Sequence, residues 1–404
     1  MLDLNNIREE LSCESDTERE NQHQGGSCSL WSEGNQSGSA EHQIGHVLWE
    51  PLSSAAWRLL YSAESYQRRS KPHEKAVGVM SMDDLFAPAG NQLTVLSYGG
   101  GQDSSALLEM YLGDPSFREK YASGDVLIIM SDTGDEFPRT MEHVRETQAR
   151  CAEAGVEFVL ITSDMGYHSE SWKNLRHFYR TKGTIGSKAF PKTCSDRLKV
   201  QPIYRFLEQW LADRYGVKCG RKAGIREFAA RFGKIRMMIG IAKGEESRVA
   251  DPAKNPHRWY RESIEPIYPL IDLGMDRAAC QELLHSKGMY VIPSNCKACP
   301  FLSLPELEYL RRFHPEDLLD WVGLEAAKLA KHSDKNAVIA TDKAGKPKLG
   351  RDGKPKVENK NYGVFGVTAL PAKVREAKDA YASWSDERIA EYRYSHGHCV
   401  ATTY

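Results

Sequence analysis

Leu93-Thr94-Val95-Leu96-Ser97-Tyr98-Gly99-Gly100-Gly101-Gln102-Asp103-Ser104-Ser105-Ala106-Leu107-Leu108 runs from an apolar strand through three glycines into a helix start without a break. Consecutive glycines let a backbone take up positive φ and approach an anion closely, while the first amides of the following helix carry partial positive charge. The stretch therefore reads as a phosphate cradle built from Gly99, Gly100, Gly101, Gln102, Asp103, Ser104 and Ser105. A tight strand-to-helix turn has the same local signature. The Gly-x-x-x-x-Gly-Lys-Ser/Thr pattern is absent, so this is not a Walker-type loop. Its place between a β-rich run and an apolar helix is the place where open α/β sheets bind ligands.

Downstream, strand and helix signals alternate. Asp125 to Met130 and Glu157 to Ile161 read as strands, with a helix from Pro138 through Ala154 between them. Val200 to Tyr215 reads as a further helix, Arg236 to Ile241 as a strand and 305 to 332 as helical. Such βα alternation predicts an α/β fold with an open, mostly parallel sheet flanked by helices and with helical N- and C-terminal additions. The second strand ends in Ser131-Asp132-Thr133-Gly134-Asp135-Glu136-Phe137-Pro138, which puts Asp132, Thr133 and Gly134 beside the cradle. Asp132 suits ribose, a phosphate-bound metal or the adenine edge, and also suits plain turn formation.

Four domain ranges follow. Residues 1–44 are polar and apolar-poor, which predicts a disordered tail; 45–90 carry helical spacing that ends near Pro72. Residues 91–300 hold the nucleotide-binding domain, and 301–404 a helical extension with a basic, flexible loop at 342–360. No fixed-period internal repeat is evident.

Of 404 residues 27% are charged, and the net charge is −1. That balance excludes a global pull toward nucleic acid or membrane, so any basic footprint is local. The absence of an apolar run of about 18 residues and of a basic-then-apolar leader predicts neither a membrane span nor secretion. The nine cysteines fit a reducing cytoplasm better than a disulfide framework.

Taken together the motifs resemble the PP-loop enzymes of the adenine nucleotide alpha-hydrolase fold, in the branch related to phosphoadenosine phosphosulfate (PAPS) reductase. Besides the glycine turn and the Asp132 element, Thr193-Cys194-Ser195-Asp196-Arg197-Leu198-Lys199-Val200-Gln201-Pro202 is similar to that branch's Cys-Thr-x-x-Leu-Lys-x-x-Pro segment. Gly240-Ile241-Ala242-Lys243-Gly244-Glu245-Glu246-Ser247-Arg248 is similar to its Gly-Ile-Arg-x-Asp-Glu-Ser-x-Arg segment. Tyr268-Pro269-Leu270-Ile271-Asp272 and Cys296-Lys297-Ala298-Cys299-Pro300-Phe301 complete a series spanning 91 to 315. The resemblance implies that Gly99 to Ser104 hold phosphates of ATP or PAPS with Mg2+, and that Asp132 to Gly134 lie near the nucleoside. It implies that Lys199 and Arg248 act with Asp103 and Ser104 on developing charge. Gly99 stands where serine is usual, and Lys243 where arginine is common, which removes a hydroxyl donor and a bidentate fork.

Cys296-x-x-Cys299 is half a metal site, compatible with zinc, an iron–sulfur cluster or dithiol cycling. Cys194 is a candidate third ligand, and Cys280 or Cys399 a candidate fourth, although Cys280 also fits a buried helix position. Iron–sulfur proteins among the resembling branch favour a cluster. Cys399, flanked by His396 and His398, is also a candidate nucleophile. Arg214, Lys218, Arg221, Lys222, Arg226, Arg231, Lys234 and Arg236, interleaved with Tyr215, Phe228 and Phe232, offer a nucleic-acid track or a solvated face.

Three readings follow: adenylation of a substrate by ATP for sulfur transfer to nucleic acid, with a sulfur donor or partner subunits; reduction of a sulfonucleotide; and non-catalytic nucleotide binding.

Overall fold

A computed structural model describes residues 92–122 and 124–396, with backbone alone at 394–396. The expectations for 1–44, for 45–90 and for Cys399 lie outside those residues.

Five parallel strands form the central sheet: β1 (Leu93–Ser97), β2 (Asp125–Ser131), β3 (Glu157–Ile161), β4 (Ile235–Ile239) and β5 (Ile264–Ile267), in the order β3-β2-β1-β4-β5. The chain builds outward from β1 to β3, then crosses to the other side of β1 to lay down β4 and β5. That reversal opens a crevice at the carboxyl ends of β1 and β4, where doubly wound sheets take their ligands.

The helices, in chain order, are α1 (Gln102–Gly113), α2 (Pro115–Tyr121), α3 (Pro138–Glu153), α4 (Leu175–Lys182), α5 (Gln201–Tyr215), α6 (Ala223–Phe232), α7 (Arg258–Ser263), α8 (Pro269–Asp272) and α9 (Arg277–Ser286). The later part adds α10 (Leu304–Phe313), α11 (Pro315–Lys331), α12 (Leu370–Tyr381) and α13 (Asp386–His396). Alternation along the strands decides which helices cover which face. Leu93, Val95, Leu127 and Ile129 pack against α5 and α6, whereas Leu96, Ile128 and Met130 pack against α1 and α3. A third core gathers Phe137, Leu175, Tyr179, Leu198 and Ala298 around the fully buried Trp321 and the C-terminal helices.

Local chemistry explains the boundaries. Pro138 opens α3 at a position whose amide has no intrahelical partner, and Ser303 with Glu306 forms a capping box on α10. The stretch read as one helix over 305–332 is two, because Pro315 cannot donate to a preceding turn. Val200 does not start α5; the residues before it, Asp196–Val200, form a π turn. No helix among the described residues is long and apolar enough to cross a membrane.

In the basic stretch 214–236 the aromatic rings do not stand among the cations at the surface, as a stacking track for nucleic acid needs, while Arg214, Lys218, Arg221, Arg226, Arg231 and Lys234 are exposed. Phe228 is fully buried, Tyr215 and Phe232 pack on the same core, and Arg214, Lys222, Arg231 and Arg236 are ion-paired. Its aromatic rings hold α5 to α6 instead of facing solvent.

Candidate functional site

A cavity of about 320 Å³ sits at the crevice. One wall is the glycine turn. Gly100 has φ +69, a left-handed conformation that a side chain would strain, and it lets the chain leave β1 and enter α1 within four residues. Gly240, just after β4, comes so near α1 that an added Cβ would lie 3.0 Å from the Ser104 amide nitrogen. The N-cap of α1, Gly101, supplies no side-chain cap, so the amides of the first turn are left to a ligand. Ser104 Oγ accepts from the Gly99 amide at 3.1 Å and donates to the Gly101 carbonyl at 3.1 Å, tying the turn to itself.

Behind the turn lies a closed polar network. His143 Nε2 is 2.9 Å from both Tyr98 OH and Ser105 Oγ, and Tyr98 OH is 3.2 Å from Thr147 Oγ1. Burial pushes the His143 imidazole down to about 4 and the Tyr98 phenol up to about 12, so both are neutral at pH 7.

Four cationic side chains, Lys192, Lys199, Arg248 and Arg277, line the cavity against one carboxylate, Asp103. Burial raises the Asp103 carboxyl above its usual range, and Arg277 and Arg248 pull it back. The two guanidiniums meet on Glu245, at 2.5 Å from Arg248 Nη1 and 2.6 Å from Arg277 Nη2. Arg277 Nε is buried with no hydrogen-bond partner. Nothing in the sequence pointed to Arg277, because it reaches the cavity from α9, well after the last motif strand. Opposite sits Lys199 Nζ, 3.3 Å from Glu136 Oε1.

The other wall carries sulfur. Cys194, Cys296 and Cys299 all line the cavity, and all three thiols lie within electrostatic reach of the buried Tyr179 hydroxyl, which burial and those sulfurs push well up. Cys296 Sγ is 3.2 Å from Thr133 Oγ1 and 3.8 Å from Glu136 Oε1. Enclosure of the sulfur, then the Glu136 charge, hold the Cys296 thiol well above its ordinary value. Asp135 fastens this wall: it accepts from the Ala298 amide at 2.7 Å and from Arg176 Nε at 2.6 Å.

The structure thus joins Gly99, Gly101, Gln102, Asp103, Ser104, Thr133, Lys199 and Arg248 with three of the cysteines. It leaves other sequence candidates out. Gly100 shapes the turn from behind, and Ser105 points into the His143 network. Asp132 is used in a turn, accepting from the Gly134 amide at 2.7 Å, so neither lines the cavity. Cys280 is buried in α9 within the core layer that packs on α1, away from the thiol wall; it is not a fourth ligand there. The donor types on that wall suit a metal cluster, but among the described residues no three Cys, His, Asp or Glu side chains stand where they could hold a metal ion.

An open parallel sheet of this order, with a glycine turn at its switch point, defines a doubly wound α/β protein. Residues 93–217 match the phosphoadenosine phosphosulfate reductase domain. No curated protein matches the sequence. Among solved structures, the chain is similar to the U34-tRNA thiolase NcsA from Methanococcus maripaludis with its 4Fe–4S cluster, at 13% identity over 61% of this chain and 73% of that one, with a TM-score of 0.32.

Proposed function

We propose that the protein is a PP-loop enzyme that cleaves ATP between the α and β phosphates to adenylate a nucleic-acid oxygen, which sulfur then replaces. The observation that carries this is the set of four cations lining the cavity, Lys192, Lys199, Arg248 and Arg277, around a turn of helix-start amides, with Glu136 and Glu245 as the resting partners of three of them. Such a chamber suits a polyphosphate and disfavours neutral ligands.

The acceptor oxygen bonds to the α-phosphorus as the bond to the bridging oxygen breaks and pyrophosphate departs. Charge grows on the leaving oxygens, where Arg248, Arg277 and Lys199 stabilise it. A Mg2+ ion, when bound, would offset phosphate charge, and Asp103 would be its carboxylate ligand from this chain. The outer sulfur of a persulfide donor then bonds to the adenylated carbon as AMP leaves. A second thiol breaks the donor's S–S bond, forming a disulfide with the donor and leaving the outer sulfur on the carbon. The thiols of Cys194, Cys296 and Cys299 are candidates for that second thiol.

Purified protein given ATP and unmodified RNA or DNA should release pyrophosphate and AMP. Absence of release with every nucleic acid would defeat the proposal. Sulfonucleotide reduction is the second reading, favoured by thiols lining the anion chamber itself; release of sulfite from PAPS, with no pyrophosphate from ATP, would establish it instead.

A further inference from the structure

The segment 342–360, expected to be a flexible loop, is an ordered knob with an eight-residue internal repeat. Lys348 N donates to the Ala340 carbonyl, Lys356 N to that of Lys348, and Ala340 N to that of Lys356, each at 2.8 Å. Three residues spaced eight apart thus close a ring of hydrogen bonds. Around it the pairs Ile339–Val357, Thr341–Pro347 and Leu349–Pro355 form three short antiparallel arms. Two arms repeat the sequence Gly-Lys-Pro-Lys, as Gly345-Lys346-Pro347-Lys348 and Gly353-Lys354-Pro355-Lys356. Each of these turns is fixed by a carboxylate: Asp342 Oδ1 accepts from the Ala344 and Lys346 amides, and Asp352 Oδ1 from that of Lys354. A period of eight escapes a search for longer repeats.

Within 342–360 seven basic residues face three acidic ones, in a chain whose net charge is −1. Two of the three acids are the turn carboxylates, and the third, Glu358, pairs with Lys356 at 3.0 Å. Lys346, Lys348 and Lys354 are exposed, and so are the aliphatic side chains of Leu349 and Val357. A rigid frame that displays lysines beside bare aliphatic groups is suited to a polyanion with apolar faces.

The knob also connects to the cavity. The chain leaving it places Tyr362 against Phe190, ring centroids 5.6 Å apart, and Phe190 is 54% exposed. The strip 187–192 is tied to the same stretch, with Ser187 Oγ donating to the Gly363 carbonyl and Lys188 N to that of Val364. It ends at Lys192 in the cavity wall.

We propose that the knob and Phe190 are the docking surface for an unpaired segment of the nucleic-acid acceptor. Lysines of the knob neutralise backbone phosphates, Phe190 stacks on a base, and the strip to Lys192 leads the strand into the cavity. The assignment rests on the nucleic-acid acceptor proposed above.

The test is fluorescence anisotropy of the full chain with labelled single-stranded RNA, single-stranded DNA and a duplex. The wild type should bind the single strands more tightly than the duplex. The variant K346Q/K348Q/K354Q/K356Q should lose at least ~10-fold in affinity, and its slope of log K against log salt should shrink by ~3. Phe190→Ala should weaken binding ~10-fold with the slope unchanged. Both should keep wild-type ATP affinity, which shows the cavity intact. Unchanged single-strand affinity and slope in the four-lysine variant would overturn the docking surface and leave adenylation standing. A wild type that binds only duplex, or that binds a protein through the knob and no nucleic acid, would overturn it as well. Failure of pyrophosphate release with intact strand binding would overturn the adenylation reading and leave the surface in place.

Discussion

The cavity's two walls are made in opposite ways. The phosphate wall comes from one short stretch, Ser97 to Ser104, whose turn geometry and helix-start amides are local properties of the chain. The thiol wall comes from Cys194, Cys296 and Cys299, and its shape is borrowed from Asp135, Arg176 and the core around Trp321. Where an anion sits is therefore decided by backbone, while what chemistry meets it is decided by tertiary packing.

The sharpest way to break that contrast is Asp135→Ala. Asp135 is 2% exposed and holds Arg176 and the Ala298 amide together. Removing it leaves the buried Ala298 amide unpaired and takes one of three carboxylates from Arg176, which keeps Asp317 and Asp320, at a cost of about 3 kcal/mol. Urea unfolding should show that loss, and alkylation of Cys296 and Cys299 in the still-folded fraction should quicken. If the phosphate wall is independent, ATP affinity per folded molecule should stay near wild type; a parallel collapse of ATP affinity would show the walls to be one unit.

The largest imidazole shift lies on the phosphate side. His143 has a folded-state value of about 4 against an ordinary 6.5, so the unfolded chain takes up a proton first as pH falls. Stability from the neutral imidazole is fully present above 6.5 and is lost between 6.5 and 4, by about 3 kcal/mol. Urea midpoints should drop across that window in the wild type and much less in His143→Gln. A window-independent difference between the two would mean that the imidazole is already charged in the fold.

The contrast also explains what the sequence disclosed. The strand-turn-helix signature at 93–108 and the parallel sheet were legible because periodicity and glycine placement are local. Arg277 was not, since it reaches Glu245 only after α9 packs on α1. Cys280 read both as a candidate ligand and as a buried helix position, and only the packing of α9 on one sheet face decides for the second. The aromatics of 214–236 share their spacing with a nucleic-acid surface, and only the packing of α5 on α6 assigns them to the core.

Gly100→Ala tests the other wall alone. The residue has φ +69, and an added Cβ would lie 3.0 Å from Thr140 Cγ2 and 3.1 Å from Val144 Cγ2. Strain of about 1–3 kcal/mol follows. ATP affinity should fall while the order of cysteine alkylation stays as in the wild type: among the described cysteines, exposed Cys219 reacts well ahead of buried Cys280, whose thiol burial pushes up to about 12. A changed alkylation order would mean that the turn supports the thiol wall too.

The smallest expected effect is Arg277→Met, and it asks whether the two walls share a ligand. Arg277 and Arg248 divide one carboxylate, Glu245, so removing Arg277 leaves Glu245 paired and folding stability nearly unchanged. A polyphosphate, however, loses a guanidinium whose Nε has no other partner. ATP affinity by calorimetry should fall ~10-fold, about 1.4 kcal/mol, with adenosine affinity unaltered. Arg277→Lys should recover only part, because a point charge cannot span two oxygens as a guanidinium does. Equal losses for ATP and adenosine would place Arg277 near the nucleoside instead, and the anion would then rest on the turn, Lys199 and Arg248 alone.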